Sequence, residues 1–333
     1  MILITGGAGF VGSNLLHGLE QRGRQDLVIC DVFGQDDKWQ NIRKRELYDV
    51  IAPEGLKDYL DQYGKEIEII FHCAAKVSTT ERDADKMIEH NFKLSRDLAK
   101  WAADNEVRFI YLSSYSTYGD GKNGFDDSDD IEKLKRLDPL SPYGWSKHLF
   151  DKFMVRWQKN TNDGKAQKLP PQWVGLKLFN VFGPNEYHKD DQMSVVCKLY
   201  PQAMAGAAAR LFKSRNPDYE DGGQLRDFIY IDDVIDVILW FFDNPDKNGL
   251  YNVGSGKARS FKDLAMSVFR AAKMEPKINY VDMSESLSRR YQYYTEANIK
   301  KLRDAGYTKS FMELEDGVEE FVNKYLSGSD PYK

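Results

Sequence analysis

The first dozen residues constrain the fold more than any other stretch of the chain. Ile2–Thr5 is a short apolar run, Gly6-x-x-Gly9-x-x-Gly12 follows at once, and Gly12–Gln21 continues with Leu15, Leu16 and Leu19 on one helical face. Strand, glycine turn and helix in that order serve one kind of ligand. The first glycine permits a tight turn, the second lets backbone approach a pyrophosphate, and the third lets helix and strand pack closely. The start of the helix offers unpaired N–H groups and the positive end of its dipole to phosphates. Asp31 ends the next apolar run, where a carboxylate can accept hydrogen bonds from ribose hydroxyls. Asp31 by itself favours NAD, because a carboxylate repels a 2′-phosphate. Lys38, Arg43, Lys44 and Arg45 follow and could offset that charge.

Short apolar runs alternate with helical patterns through the first half. Leu27–Asp31, Glu68–Ala75 and Val107–Ser114 read as buried strands, Asp83–Asp104 and Ser146–Gln158 as helices, and Trp173–Gly183 as a returning strand. Continuous apolar strands between helices predict a parallel sheet covered on both faces, hence an α/β, doubly wound chain. Asn160–Gln172 has no periodicity and ends in Pro170-Pro171, so it reads as an exposed excursion. Beyond Pro184 the pattern loosens. Met193–Ala205, Phe261–Lys273 and Leu314–Leu326 read as helices, and Arg210–Ser214, Leu225–Ile231 and Leu250–Val253 as strands. The expected division is a dinucleotide-binding domain over 1–183, to which a strand and helix return at about 227–257. A smaller substrate-binding lobe takes 184–226 and 258–330.

A chain of 333 residues with net charge −5 carries no sequence-wide basic field to draw nucleic acid or an anionic membrane. No apolar run reaches the roughly 20 residues of a membrane helix. The strand starting at residue 2 argues against a signal peptide. Cys30, Cys73 and Cys197 lack metal spacing and read as reduced thiols of a cytoplasmic protein. His17, His72, His90, His148 and His188 form no ligand-spaced cluster, so no metal is expected. His188 is the histidine most worth testing.

Tyr143-Gly-Trp-Ser-Lys147 places Tyr and Lys at i and i+4, on one face of a helix start. A nearby ammonium favours the phenolate and draws the tyrosine pKa toward working pH. Lys147 could also hold the nicotinamide ribose. Ser113-Ser114 ends a strand, from which Ser114 could hydrogen-bond a substrate oxygen.

Thr5–Gly12, Asp31, His72-Cys-Ala-Ala75, Asn91, Ser113-Ser114, Tyr143-x-x-x-Lys147 and Phe179-Asn-Val-Phe-Gly-Pro184 together resemble the extended short-chain dehydrogenase/reductase superfamily of sugar-nucleotide epimerases and dehydratases. The resemblance spans nearly the whole chain and implies a Rossmann-type fold. It also implies cofactor contacts from Gly6, Gly9, Phe10, Val11, Gly12, Asp31, Val32, Lys38, Cys73, Ala74, Ala75, Lys76, Asn91, Tyr143, Lys147 and Val181. Homo-oligomers are common in this superfamily, often through the two helices expected at Asp83–Asp104 and Ser146–Gln158.

The second lobe narrows the choice. Gly183-Pro-Asn-Glu-Tyr-His-Lys189, Phe212–Arg215, Leu225-Arg-Asp-Phe228, Arg290-Tyr-Gln292 and Ser78-Thr-Thr-Glu81 resemble the ADP-glyceromanno-heptose 6-epimerase family of lipopolysaccharide core synthesis. That family is generally assigned NADP, with NAD the alternative that Asp31 favours. The resemblance makes Tyr143 and Lys189 the two acid/base residues, with Lys147 supporting Tyr143 and Ser114 orienting the reacting oxygen. Ser78, Asn180, Asp191, Phe212, Lys213, Ser214, Arg215, Arg226 and Tyr291 would contact the ADP-sugar. Arg226 is the sharpest candidate for a bidentate phosphate contact. Asp190 and Asp191 depart from the family pattern, and carboxylates beside Lys189 would favour its charged form.

Inverting an unactivated carbinol by proton abstraction is implausible. Lending a hydride to a nicotinamide and taking it back on the other face inverts the centre, with proton handling on both faces. Competing readings are a UDP-hexose 4-epimerase, which would not need the Tyr-His-Lys segment, and a non-catalytic cofactor-binding regulator. A 4,6-dehydratase fits less well, because Ser114–Gly119 offers no carboxylate for β-elimination.

Overall fold

The computed structural model describes residues 1–77, 83–165, 168–285 and 291–333. Its main sheet contains β1 (Ile2–Thr5), β2 (Leu27–Cys30), β3 (Asp49–Ile51), β4 (Ile69–His72), β5 (Arg108–Ser114), β6 (Trp173–Leu178) and β10 (Gly249–Val253). They lie in the order β10-β6-β5-β4-β1-β2-β3, and every neighbouring pair is parallel. Successive strand residues face opposite sides of a sheet, so a strand buried on both faces must be apolar throughout. In β1, Ile2 and Ile4 join one core and Leu3 the other. In β5, Ile110 and Leu112 divide from Phe109 and Tyr111 in the same way.

Helices α1 (Phe10–Gln21) and α8 (Ile231–Asp243) cover the first face; α2 (Leu56–Tyr63), α4 (Leu94–Asp104) and α6 (Pro142–Asn162) cover the second. The expected helix over Asp83–Asp104 forms in three parts: α3 (Ala84–Met87), a π-helical segment Ile88–Lys93, and α4. Helix α6 starts at Pro142, earlier than its apolar pattern suggests. Ser141 caps it by accepting from the Gly144 N–H at 3.1 Å, and proline suits the first turn. That brings both Tyr143 and Lys147 inside the helix. The excursion expected over Asn160–Gln172 therefore begins after Asn162.

The returning strand breaks at Phe179 into β6 and β7 (Asn180–Phe182). β7 leaves the main sheet and pairs with β9 (Leu225–Tyr230), which pairs antiparallel with β11 (Ala258–Ser260). β8 (Ala209–Phe212) and β12 (Ile278–Val281) form a separate parallel pair. Around them pack α7 (Val195–Met204), α9 (Phe261–Ala271) and α11 (Leu314–Glu320); α5 (Ile131–Leu134) and α10 (Lys300–Asp304) are short. Among the described residues no helix is long and apolar enough to cross a membrane.

The chain reverses its direction of strand addition at β1, with β2 on one side and β4 on the other. A crevice outside the carboxyl ends of the strands is the usual binding place at such a point. The glycine turn, Asp31, Cys73–Lys76 and Ser114 all stand at those ends.

Candidate active site

The turn after β1 has the geometry its glycines predict. Gly6 takes φ +72°, and a Cβ there would lie 2.6 Å from the Ala74 nitrogen. A Cβ on Gly12 would lie 2.2 Å from the Gly6 carbonyl oxygen. Gly9 begins α1 without any side-chain cap, leaving the first N–H groups of the helix directed into the crevice. Phe10 is buried and Val11 partly so. Such a cradle fits a pyrophosphate.

Asp31 accepts from the Ala8 N–H at 2.8 Å and the Val32 N–H at 2.7 Å. Lys38, on a 3-10 turn over Asp37–Asn41, donates to Asp31 at 2.5 Å and to the Val32 carbonyl at 2.9 Å. The acid and the cation that point to different cofactors are thus one ion pair.

Behind the crevice, His72 joins Thr5 through Nδ1 at 2.7 Å and Ser95 through Nε2 at 2.8 Å. Burial, with a smaller push from Lys147, lowers the pKa of His72 to about 3, so it is a neutral tie between β1, β4 and α4. Asn91, fully buried on the π-helical segment, accepts from the Lys76 N–H at 2.8 Å and donates to the Lys76 carbonyl and to Ser146, each at 3.0 Å. It therefore fixes the backbone that follows Cys73, Ala74 and Ala75. The three cysteines are free.

Ser114 ends β5 and is hydrogen-bonded to Tyr143 on α6, with Lys147 one turn further along that helix. The Ser114 Oγ accepts from Ser116 Oγ at 2.9 Å and from the Ser116 N–H at 3.2 Å. Burial pushes the Tyr143 phenol up to about 12, and its hydrogen bond with Ser114 works against that. The Lys147 Nζ donates to the Leu112 carbonyl at 2.8 Å. Burial brings its pKa down to about 8, opposed mainly by Asp151 one turn further along α6. A lysine lowered this way still carries charge near neutrality, as support for a phenolate requires.

Beneath this trio lies a network that the sequence reading missed. Asp151 is fully buried and accepts from Tyr111 at 3.0 Å, Ser113 at 2.8 Å and Lys177 at 2.5 Å. Lys177 also donates to Thr117 at 2.8 Å, and Thr117 donates to the Ser114 carbonyl at 2.9 Å. The visible signal was a lysine inside the apolar strand Trp173–Leu178, because a charge buried on a central strand needs a partner.

Lys189 sits on a 3-10 segment, Tyr187–Gln192. Its ammonium lies 3.6 Å from Glu186 and 4.8 Å from the centre of the Phe10 ring. Asp190 and Asp191, expected to be the carboxylates beside it, are exposed; Asp190 takes φ 46° and Asp191 presents its carbonyl to Lys198 at 2.7 Å. The paired acid is instead the buried Glu186, which accepts from the Ser194 N–H at 2.5 Å and the Gly183 N–H at 3.3 Å. Among the described residues no hydrogen bond or ion pair joins Lys189 to Tyr143.

The cations of the second lobe separate into two kinds. Lys213 faces Asp282 at 3.4 Å, and Arg215 donates to the Met283 carbonyl at 2.8 Å. Ser214 donates to the Asn216 carbonyl at 2.7 Å. Arg226 differs: it is 7 % exposed, and no carboxylate among the described residues pairs with it. Its guanidinium lies 5.2 Å from the Tyr291 ring centre and 5.6 Å from that of Phe261, and it donates to the Leu225 carbonyl. Phe212 meets Tyr291 edge-on at 6.2 Å, so Phe212, Arg226 and Tyr291 form one aromatic-walled cationic patch. Asn180 reaches Tyr115 at 3.5 Å, its Oδ1 is buried without a partner among the described residues, and Val181 beside it is partly buried. Ser78, with Arg289 and Arg290, lies outside the described residues. No group of three His, Cys, Asp or Glu among the described residues is placed to hold a metal.

Residues 2–254 match the model of the NAD dependent epimerase/dehydratase family. The ADP-L-glycero-D-manno-heptose-6-epimerase of Nitratidesulfovibrio vulgaris (strain DP4) is 45 % identical over the full length of both chains. That of Fusobacterium nucleatum is 43 % identical, again over both full lengths. The crystal structure of the Helicobacter pylori enzyme of the same name superposes with a TM-score of 0.74 at 28 % identity, covering 97 % of this chain and 95 % of that one.

Proposed function

This chain belongs to the NAD dependent epimerase/dehydratase family, and from that premise we propose that it is an isomerase that inverts C6″ of ADP-D-glycero-β-D-manno-heptose to the L-glycero form. The full-length likeness to ADP-L-glycero-D-manno-heptose-6-epimerases carries this reading. The patch of Arg226, Phe212 and Tyr291 supports it, because a buried guanidinium that no carboxylate among the described residues pairs suits a diphosphate. A bound nicotinamide supplies a hydride acceptor that becomes the donor for the opposite face, so the cycle has no net redox change.

The chain's own groups do the rest. Tyr143, ionised, takes the proton from the substrate hydroxyl as the carbonyl forms; the Ser114 hydrogen bond and the Lys147 charge one turn along α6 favour that ionised form against burial, and Ser114 donates to the reacting oxygen. Lys189, poised beside Glu186, handles the proton when the carbonyl presents its other face. The Lys38–Asp31 ion pair favours NADP over NAD, since it places a cation where a 2′-phosphate would otherwise meet a bare carboxylate. We assign binding of this cofactor to the main sheet and its glycine turn, and sugar recognition to the lobe around β8, β9 and β12.

The experiment is incubation with ADP-D-glycero-β-D-manno-heptose and catalytic NADP⁺ or NAD⁺, followed by NMR. Inversion at C6″ is the expected result. Silence there with turnover of UDP-galactose would replace the reading by a 4-epimerase.

A further inference from the structure

The Ala8 peptide, in the glycine turn, is gripped from two sides. Its N–H donates to Asp31, which Lys38 pairs. Its carbonyl accepts from the Asn41 Nδ2 at 2.9 Å. The same Nδ2 lies 3.0 Å from the His188 Nδ1. A carbonyl can only accept, so the Asn41 atom facing Ala8 is the amide nitrogen, and its two hydrogens serve Ala8 and His188. His188 Nδ1 must then accept, and the ring proton resides on Nε2. Protonating Nδ1 would break the contact.

The surroundings hold His188 in that neutral state. Burial, Lys38 and Lys189 push its pKa down to about 4, against weaker opposition from Asp36 and Asp31. Asn41 is 1 % exposed. The two ends of this link carry the residues that matter. Asn41 closes the 3-10 turn that bears Lys38, and His188 directly precedes Lys189. Two further bonds tie the same segment to α1: Asn14 donates to the Pro184 carbonyl at 3.0 Å, and Asn185 donates to Ser13 at 3.1 Å.

We propose that Asn41 and His188 are positioning residues that clasp the Lys189 segment to the dinucleotide turn, so that Lys189 is held in register with the bound cofactor. The proposal rests on the reading of Lys189 as an acid/base group. Its physical basis is that a small misplacement of a reacting group costs rate, whereas cofactor affinity draws on the turn, Asp31 and Lys38.

The test uses three variants of the full chain. Asn41→Ala and His188→Phe remove the clasp. His188→Asn keeps an acceptor where Nδ1 stood. In the inversion assay the first two are expected to lower kcat by about tenfold to a hundredfold; in His188→Phe, which leaves the Asn41–Ala8 bond in place, the NADP⁺ dissociation constant should stay within about threefold of wild type. His188→Asn should recover most of the loss. A second readout needs no substrate: the rate at which an amine-reactive reagent labels Lys189, read by mass spectrometry at saturating NADP⁺. Labelling should be about threefold or more faster in Asn41→Ala and His188→Phe than in wild type or His188→Asn. Unchanged labelling overturns the proposal, as does a loss of kcat in His188→Phe matched by an equal loss of cofactor affinity. If wild type inverts no ADP-heptose, the proposed function fails by itself and the labelling still decides the clasp.

Discussion

The Lys38 ammonium lies 2.5 Å from the Asp31 carboxylate, both largely enclosed, just past the end of β2 and beside the glycine turn. Each residue read alone points to a different cofactor; read as a pair they define one site with its negative charge offset. Lys38→Ala should weaken NADP⁺ binding by about tenfold to a hundredfold, the worth of a hydrogen bond to a charged group. NAD⁺ affinity should move by less than about threefold, because Asp31 keeps its bonds from the Ala8 and Val32 N–H groups and NAD⁺ has no 2′-phosphate for Lys38 to meet. Intrinsic fluorescence titration with both cofactors measures this. Equal losses for the two would mean that Lys38 only steadies Asp31.

That pairing also shows what the sequence could and could not reveal. Gly6 and Gly12 were legible because backbone geometry excludes other residues there, and α6 was legible because apolar spacing and a Tyr-x-x-x-Lys lie on one short segment. Local chemistry reads locally. Lys177 with Asp151, and Asn41 with His188, are contacts between segments far apart in the chain, and only the folded sheet brings them together. The acid beside Lys189 was misjudged for a related reason. Asp190 and Asp191 are its neighbours in sequence, but the backbone turns at Asp190 and leaves both exposed, while Glu186 is folded under the lysine. The edge strand β3 escaped notice because Asp49 and Val50 are exposed and break the apolar run.

Tyr143 is the group that the proposed chemistry can least do without. Tyr143→Phe keeps the ring and its packing but removes the proton carrier. The inversion rate should fall by about a hundredfold or more, within the range for loss of a general acid/base. Cofactor affinity should hold within about threefold, since the glycine turn and Asp31 are untouched. Progress curves by NMR and a binding titration separate the two effects, and a rate within a few-fold of wild type would remove Tyr143 from the mechanism.

Arg226 should report on binding more than on chemistry. It lies against Tyr291 and Phe261, and the contacts of Tyr143 and Lys147 are elsewhere. Arg226→Gln is expected to raise KM for the ADP-sugar by about tenfold to a hundredfold, the cost of losing charge-assisted bonds to phosphate. The change in kcat should be small, the pattern of an interaction made equally in ground and transition states. Arg226→Lys should recover only part of the loss, because an ammonium lacks the planar fork and the ring stacking. A variant with normal KM would move phosphate recognition away from this patch.

Lys147 gives a pH dependence with a definite sign. Its ammonium, depressed to about 8 by burial, is charged below that pH and discharges above it. With the charge goes the electrostatic support that the proposed mechanism asks of Lys147 for a Tyr143 phenolate, so kcat/KM should fall as pH rises through about 8. Lys147→Arg keeps its charge at every working pH, and its profile should lack that falling limb even if its overall rate is lower. A limb that persists in Lys147→Arg would belong to another group.

His148 makes the last case, and it concerns stability. Its side chain is 1 % exposed on α6, and among the described residues neither ring nitrogen has a hydrogen-bond partner at bonding geometry, although the Leu134 backbone lies near enough to favour the charged form slightly. Burial above all, then Lys152, lowers its pKa to about 4. The unfolded chain therefore takes up a proton near pH 6.5 that the folded chain refuses until about pH 4. Stability present above 6.5 is lost as pH falls through that window. At pH 5 the loss is about 2 kcal/mol from this residue, at about 1.4 kcal/mol per pH unit. Asp127, Asp227 and Asp233, each raised to about 6 mainly by burial, act the other way: their contribution is lost as pH rises through 6. Total stability against pH mixes both, so the difference between two chains is the cleaner quantity. His148→Leu removes the titrating ring and leaves those carboxyls in place. Urea unfolding at pH 7.5 and pH 5 should show the variant gaining about 2 kcal/mol on wild type between the two conditions, whatever its packing cost at pH 7.5. No gain would mean that the buried imidazole finds a partner for its proton, most simply the Leu134 backbone.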